Sequence, residues 1–381
     1  MKKNYVIIVG TGSFVFEDNF GNGVILRSVQ QYKKQHKDFS IALFYHSKEK
    51  KKLIEKKLTK LGIKDIKLLH TEELEHFINT QNIKAAFISV PDTKHFFYTK
   101  LFIKHKIATW LVKPISDNLK EAKKLLHLSN KYKTLLWIDY HKRFDTSNLL
   151  LKSHIEKQTY GKMLHYGVQY TQPLSLPLQT FSWTQDTNVL SYIGCHYIDQ
   201  LEFIYKESIK SFKISSLGTQ GIIYKKLGGL CFDTILTTLQ IRLKDNSKVT
   251  ATFQVGWNDP SFTPSKSHQR VEITFEEGRL IMDQKERGME LWDNNRFHHI
   301  NPYFFTKSFD VVLDKESYSG YGYESVKNFF DIVFKKTVLK SSSLPLIQNT
   351  LFSEFVLDSA KKSLKKNGKW IEINLGNIDA E

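Results

Sequence analysis

Tyr5-Val6-Ile7-Ile8-Val9-Gly10-Thr11-Gly12 is the stretch that decides the fold. Val6–Val9 is a continuous apolar run, as expected of a strand buried on both faces. Two glycines follow it directly. At a strand end, glycine lets the backbone turn tightly and approach a pyrophosphate, whose charge the next helix N-terminus meets. The third glycine of a G-x-G-x-x-G loop falls at residue 15, which is Val15. Phe14–Asn22 instead reads as an insertion, with Gly21 and Gly23 nearer the helix. On its own the loop also suits an ordinary strand-to-helix turn of another α/β protein.

The pattern continues outward from that loop. Gly21–Lys37 has helical spacing, Phe39–Tyr45 reads as a second strand and Lys48–Leu61 as a lysine-rich helix. Ile66–Leu69, Ala85–Val90, Ile107–Val112 and Leu135–Ile138 read as further strands. Between them stand helices over Glu72–Thr80, with Thr71 as N-cap, Thr93–Lys106 and Leu119–Lys133. Strand–helix repeats of this kind predict a parallel sheet with helices on both faces. Near Asp145 the period changes. After a helix over Asn148–Glu156, Leu239–Lys244 and Val249–Val255 alternate apolar with polar residues around the turn signal Asp245-Asn246-Ser247. Val271–Phe275 and Leu280–Met282 flank a second hairpin, and two helices, Ser325–Lys335 and Asn349–Lys366, precede a short strand, Trp370–Ile373. The fold class is therefore α/β: a nucleotide-binding domain over 1–145, then an α+β domain over 146–381 with a large, mostly antiparallel sheet. The C-terminal helices are open to packing back on the first domain.

Composition narrows the function. With 41% hydrophobic and 25% charged residues, 381 residues are ordinary globular protein. Lys plus Arg number 56 and Asp plus Glu 39, a net charge of +17, but the charges are scattered and no nucleic-acid motif accompanies them. Two cysteines, Cys195 and Cys231, exclude a disulfide framework and a thiolate zinc cluster, and no metal site is expected. No apolar stretch approaches the roughly 20 residues of a membrane helix. No signal-peptide core is visible, so the expectation is a soluble cytoplasmic protein. At the end of the second strand, where an NAD site usually has an acid, the sequence is Tyr45-His46-Ser47-Lys48. Ser47 and Lys48 can donate to a 2′-phosphate, which favours NADP over NAD. The alternative is that Lys48 only begins a solvated helix.

Three further segments carry a resemblance. Ser89-Val90-Pro91-Asp92-Thr93-Lys94-His95 resembles a "T/S-x-P-N-x-x-H" motif, Lys113-Pro114 an "E-K-P" motif, and Gly194-Cys195-His196-Tyr197-Ile198-Asp199 a "G-x-H-x-x-D" motif. In this order and spacing they resemble the family of glucose–fructose oxidoreductase, inositol dehydrogenase and rhizopine catabolism proteins (Gfo/Idh/MocA). The fainter echoes His141-Lys142-Arg143-Phe144, Val271–Leu280 and Ser359–Gly368 extend the likeness across essentially the whole chain. The resemblance implies a Rossmann domain binding NAD(P), a substrate domain, and self-association as a homodimer or homotetramer. It also implies hydride transfer between nicotinamide and a hydroxyl-bearing carbon of a sugar, cyclitol or nucleotide sugar.

The chemistry then assigns roles. Removing hydride from a carbinol leaves a hydroxyl proton for a base, and His196 suits that, since imidazole titrates near neutrality. Asp199, at i+3 on the same helical face, orients the ring or contacts substrate. Lys113, at the carboxyl end of the fifth strand, donates to the reacting oxygen and helps hold the cofactor. Gly10, Thr11, Gly12, Ser47, Lys48, Pro91 and His95 complete the cofactor candidates, with His95 either capping its helix or lining the cleft. Cys195 reads as a small buried filler, and Trp257, Tyr321 and Tyr323 as core or as platforms for a sugar face. Departures are Val112 for the "E" of "E-K-P", Asp92 for Asn, and Tyr192 where many members carry Asp four residues before the histidine. A tyrosine hydroxyl can orient or relay but is no carboxylate at neutral pH. Two alternatives stay open: a redox-neutral enzyme that holds NAD tightly and oxidises, eliminates and reduces, and a non-catalytic dinucleotide-binding member.

Overall fold

The computed structural model describes residues 3–16, 23–36, 39–181, 183–285, 287–292, 294, 297–312, 314–335 and 341–375. The chain forms two compact units, Met1–Phe144 with Tyr303–Gln348, and Asp145–Pro302 with Asn349–Glu381. No described helix is long and apolar enough to cross a membrane.

The first unit alternates strands and helices: β1 (Asn4–Val9), α1 (Val24–His36), β2 (Ser40–Tyr45), α2 (Lys51–Lys60), β3 (Ile66–His70), α3 (Leu74–Thr80), β4 (Asn82–Ile88), α4 (Asp92–Lys104), β5 (Ala108–Leu111), α5 (Leu119–Tyr132) and β6 (Leu136–Ile138). The strands pair in parallel in the order β3-β2-β1-β4-β5-β6. The order reverses between β1 and β4, the crevice at which ligands bind in open α/β sheets. β1, β2 and β4 are wholly buried toward their carboxyl ends, as their continuous apolar runs require. The expected cap of α3 is corrected. A 3-10 turn, Thr71–Glu73, precedes the helix; His70 caps that turn, accepting from the Glu72 amide while Glu73 accepts from the His70 amide, and Glu73, not Thr71, stands at the N-cap position of α3 without a side-chain capping bond.

The second unit begins with α6 (Thr146–Glu156), capped by Asp145, then β7 (Met163–Pro173), α7 (Cys195–Tyr205), β8 (Ile209–Thr219), α8 (Ile222–Leu227), β9 (Thr234–Leu243), β10 (Lys248–Asp259), β11 (His268–Phe275), β12 (Arg279–Asp283) and the small hairpin β13 (Glu290–Trp292) with β14 (Phe297–His299). The chain then returns to the first unit with β15 (Thr306–Asp310), β16 (Lys315–Ser319) and α9 (Tyr321–Lys335), before α10 (Leu351–Leu364) and β17 (Ile371–Asn374) in the second. The second unit's main sheet runs β12-β11-β7-β10-β9-β8-β17. Its pairs are antiparallel except β7 with β10. Burial alternates along β9 and β10, so one face is covered.

Returning α9 completes the first unit's core. Val326, Phe329 and Phe330 join Trp110, Trp137, Phe87 and Tyr32 in one buried cluster. Full burial of each such large side chain stabilises by about 2–3 kcal/mol.

Candidate functional site

In the first unit the turn after β1 is built by steric necessity. Gly10 has φ +113°, and a Cβ there would lie 1.9 Å from the Ser89 carbonyl oxygen. Its amide donates to Phe44 O at 3.0 Å, so the turn is wedged between the ends of β2 and β4. Gly12 is the opposite case: among the described residues, a Cβ built on it meets nothing within 4 Å. The third-glycine task falls to Gly23, whose Cβ would lie 2.2 Å from the Phe16 carbonyl carbon, while Val15 is buried in the core. Gly21 lies outside the described residues.

The turn also uses its own amides. Val15 and Phe16 donate to Gly12 O, and the first-turn amides of Ile25 and Leu26 in α1 donate to Phe14 O and Val15 O. Two donors that a helix N-terminus offers an anion are thus already engaged. The open space at Gly12 leaves room for a ligand backbone to approach the turn.

Beyond β2, Ser47 is half-buried and Lys48 exposed, and both are engaged by carboxylates. Lys48 Nζ stands 2.9 Å from Glu72, and Ser47 Oγ donates to Glu49 at 2.5 Å. Glu72's carboxyl is held below its usual range first by its hydrogen bond from Lys48.

Pro91 precedes α4 as its N-cap residue. His95, in the second turn, does not cap the helix. It is fully buried, with Nδ1 2.8 Å from Pro114 O and Nε2 2.9 Å from Val90 O. The ring joins the loop after β4 to the loop after β5 that carries half-buried Lys113. Burial lowers its pKa, and Lys113 lowers it further, while the Asp92 charge and the two carbonyls oppose the shift.

Just beyond β6, sequence reasoning passed over Asp139 and noted His141 only within a faint motif echo. Asp139 Oδ2 lies 2.9 Å from His141 Nδ1, and Oδ1 accepts from Ser325 Oγ at 2.8 Å. The His141 ring stacks between Phe14 of the glycine turn and Tyr321.

In the second unit a π-helical turn, Leu190–Gly194, leads into α7. His196 sits in the first turn of α7, nearly buried, and Asp199 is completely buried one turn on. Tyr197 Oη donates to Gln269 on β11 and its ring meets Tyr170 on β7, which seats the helix on the sheet. Glu202, buried on the same helix, accepts from the amides of Phe352 and Ser353 at the start of α10. Tyr192 packs edge-on against Phe181 and Trp183 and near Trp257. Trp257 is wholly buried and donates to Gln172, Tyr321 and Tyr323 are buried too, and Cys195 is a buried filler. Gly10, Thr11, Gly12, Ser47, Lys48, Pro91, His95 and Lys113 therefore share the first unit, and Tyr192, His196 and Asp199 the second. Among the described residues no group of three or more His, Cys, Asp or Glu could hold a metal.

Comparison with known proteins agrees with this architecture. Residues 5–140 match the GFO_IDH_MocA model, described as an oxidoreductase family with an NAD-binding Rossmann fold. No curated protein sequence matches the chain. Among solved structures, myo-inositol 2-dehydrogenase from Lactobacillus plantarum aligns at 15% identity and TM-score 0.71, covering 98% of this chain and 100% of its own. Scyllo-inositol dehydrogenase from Lactobacillus casei, solved with NAD(H) and scyllo-inositol, aligns at 13% and 0.69, covering 97% and 99%. Aldose-aldose oxidoreductase from Caulobacter crescentus, complexed with glycerol, aligns at 13% and 0.69, covering 98% and 100%.

Proposed function

We propose that this chain, a Gfo/Idh/MocA-family oxidoreductase, transfers a hydride between a nicotinamide cofactor and a carbinol or carbonyl carbon of a sugar, cyclitol or nucleotide sugar. The observation that carries the reading is the full-length likeness to dehydrogenases of polyhydroxylated compounds, over a first unit matched by the family model. When bound, the nicotinamide accepts or returns the hydride. In the first unit, Thr11 and Gly12 approach the phosphates, and Lys113 donates to the reacting oxygen and offsets its developing negative charge. In the second, His196 takes the hydroxyl proton in oxidation and returns it in reduction. Asp199 holds the ring or a substrate hydroxyl. Tyr192, seated among aromatic rings, orients rather than relays. The same reading carries a soluble cytoplasmic homodimer or homotetramer, which sedimentation would check.

Cofactor choice turns on the end of β2. Ser47 and Lys48 favour NADP, but Glu49 and Glu72 compete for both donors. The proposal is therefore a weak NADP preference with NAD accepted.

Steady-state assays against inositols, aldoses and nucleotide sugars test the whole. His196→Ala and Lys113→Ala should each lower kcat/KM by about 100-fold or more, with NADH binding by the His196 variant unchanged. Undiminished turnover in both variants would sink the assignment.

A further inference from the structure

The loop after β6 carries a buried network that the proposed reaction does not use. His141 and Asp139 are both buried, and Ser325 completely so. Both carboxylate oxygens of Asp139 are engaged: Oδ2 lies 2.9 Å from His141 Nδ1, and Oδ1 accepts from Ser325 Oγ at 2.8 Å. Ser325 Oγ accepts in turn from Trp137 Nε1 at 3.3 Å, and the Asp139 amide donates to Leu111 O at 2.8 Å. A carboxylate only accepts, so His141 carries a proton on Nδ1 and the plane of its ring is fixed. Groups from β5, β6 and α9 therefore aim one imidazole.

The ring is aimed at the glycine turn. Phe14, half-buried in that turn, stacks with His141 at 6.1 Å between ring centres and 26° between planes. It also stacks with Trp110 of β5, at 6.4 Å and 14°. Tyr321, one turn before Ser325 on α9, stacks on His141 at 5.6 Å and 21°. The Phe14 carbonyl accepts from the Ile25 amide at 3.1 Å, where α1 begins. Gly10, bonded to Phe44 O, fixes the front of the turn against β2. Phe14 ties its back both to the ring stack and to the helix.

We propose that His141 is a positioning residue for the glycine turn. Its ring, aimed by Asp139 and Ser325, holds Phe14 in place and so sets how the turn is presented to a dinucleotide. The clamp stands on contacts within the first unit; its consequence for the cofactor rests on the reading above. A stacked aromatic pair is worth enough to change a local opening equilibrium by about three- to tenfold.

Two variants of the full chain separate the ring from its anchor. His141→Asn keeps a donor toward Asp139 and removes the ring. His141→Phe keeps a ring and removes the donor. Amide hydrogen exchange without ligand is read at Ile25 and Leu26, which bond to the turn, and at α5 as a control. In His141→Asn, exchange at Ile25 and Leu26 should quicken about three- to tenfold with α5 unchanged, and NADH affinity by fluorescence titration should fall by a similar factor. In His141→Phe, exchange at the turn should stay nearer wild type, and the loss should show as a lower Tm from the Asp139 oxygen left without its donor. Unaltered exchange in His141→Asn, or an equal rise in α5, overturns the proposal, as does a Phe variant that loosens the turn more than the Asn variant. Should the Phe variant fold poorly, the Asn variant decides by the first two outcomes. If wild-type protein binds no NADH, yet His141→Asn still loosens the turn, the clamp stands and the hydride-transfer reading falls.

Discussion

The turn after β1 and the helix α7 are both assigned to chemistry, yet they are built by opposite means. The turn is a backbone device. Gly10 is pressed against Ser89, Gly12 stands open, and the amides of Val15, Phe16, Ile25 and Leu26 close the loop on itself. The helix is a side-chain device. His196, Asp199, Gln200 and Glu202 are all buried on it, and the partners of Glu202 come from a distant segment, the start of α10. A backbone device tolerates no added atom at its tight point. A side-chain device fails when a buried polar group loses its partner.

The sharpest way to break the comparison is Gly10→Ala. The methyl would meet the Ser89 carbonyl, and φ +113° is strained for any side chain. Backbone on both sides prevents relief, so a loss of about 3 kcal/mol or more is expected, seen as little folded protein or a much lower Tm. A near-native Tm would show that the turn has slack it is not credited with.

On the helix the largest effect belongs to Glu202. Its carboxylate accepts from Phe352 N at 3.0 Å, Ser353 N at 3.2 Å and Ser353 Oγ at 3.3 Å, where α10 begins. Glu202→Ala leaves those donors buried without partners and should cost about 2–3 kcal/mol in urea unfolding. Because two of the three donors are backbone amides, Ser353→Ala should cost much less. Equal losses would mean that the hydroxyl, not the helix end, is what Glu202 serves.

This contrast also explains what the sequence reveals. The six parallel strands, the alternating hairpin β9–β10 and the glycine turn are legible because period and glycine act locally. The parallel pairing of β7 with β10 is not, since alternation says which face is buried but not which strand lies alongside. α9 and α10 read alike as amphipathic helices, yet tertiary packing takes one to each unit. In the candidate site, His196 and Asp199 stand out through the motif they resemble, whereas Glu202 on the same helix does not, because its meaning lies in what it faces. Asp139 and His141 are two residues apart in sequence, but Ser325, which completes their network, is 186 residues from Asp139. His95 drew attention through its motif, but that it bridges Val90 and Pro114 could be learned only from the fold.

Gly12→Ala sharpens the backbone side. Its Cβ would meet no atom of the described residues, so the fold should survive with Tm near wild type. On the proposed reading a dinucleotide backbone approaches through that space, so NADH affinity should fall about tenfold. Fluorescence titration beside a melting curve separates the two. A variant that melts early and binds normally would reverse the roles given to Gly10 and Gly12.

The smallest expected effect is at Glu72, and it tests whether side-chain logic reaches into the backbone device. Lys48 and Glu72 pair at 2.9 Å with both side chains about two-thirds exposed, so their bond is weak and screened by salt. Glu72→Gln removes the charge competing for Lys48 and leaves the shape. A ligand bearing a 2′-phosphate should gain and one without should not, so the ratio of NADPH to NADH affinity should rise about two- to fivefold, less at high salt. The direction matters more than the size. If Lys48 faces the 2′ position, removing its carboxylate partner can only help the phosphate. A ratio that stays fixed would mean that Lys48 belongs to the solvated start of its helix, and that cofactor choice is made elsewhere in the first unit.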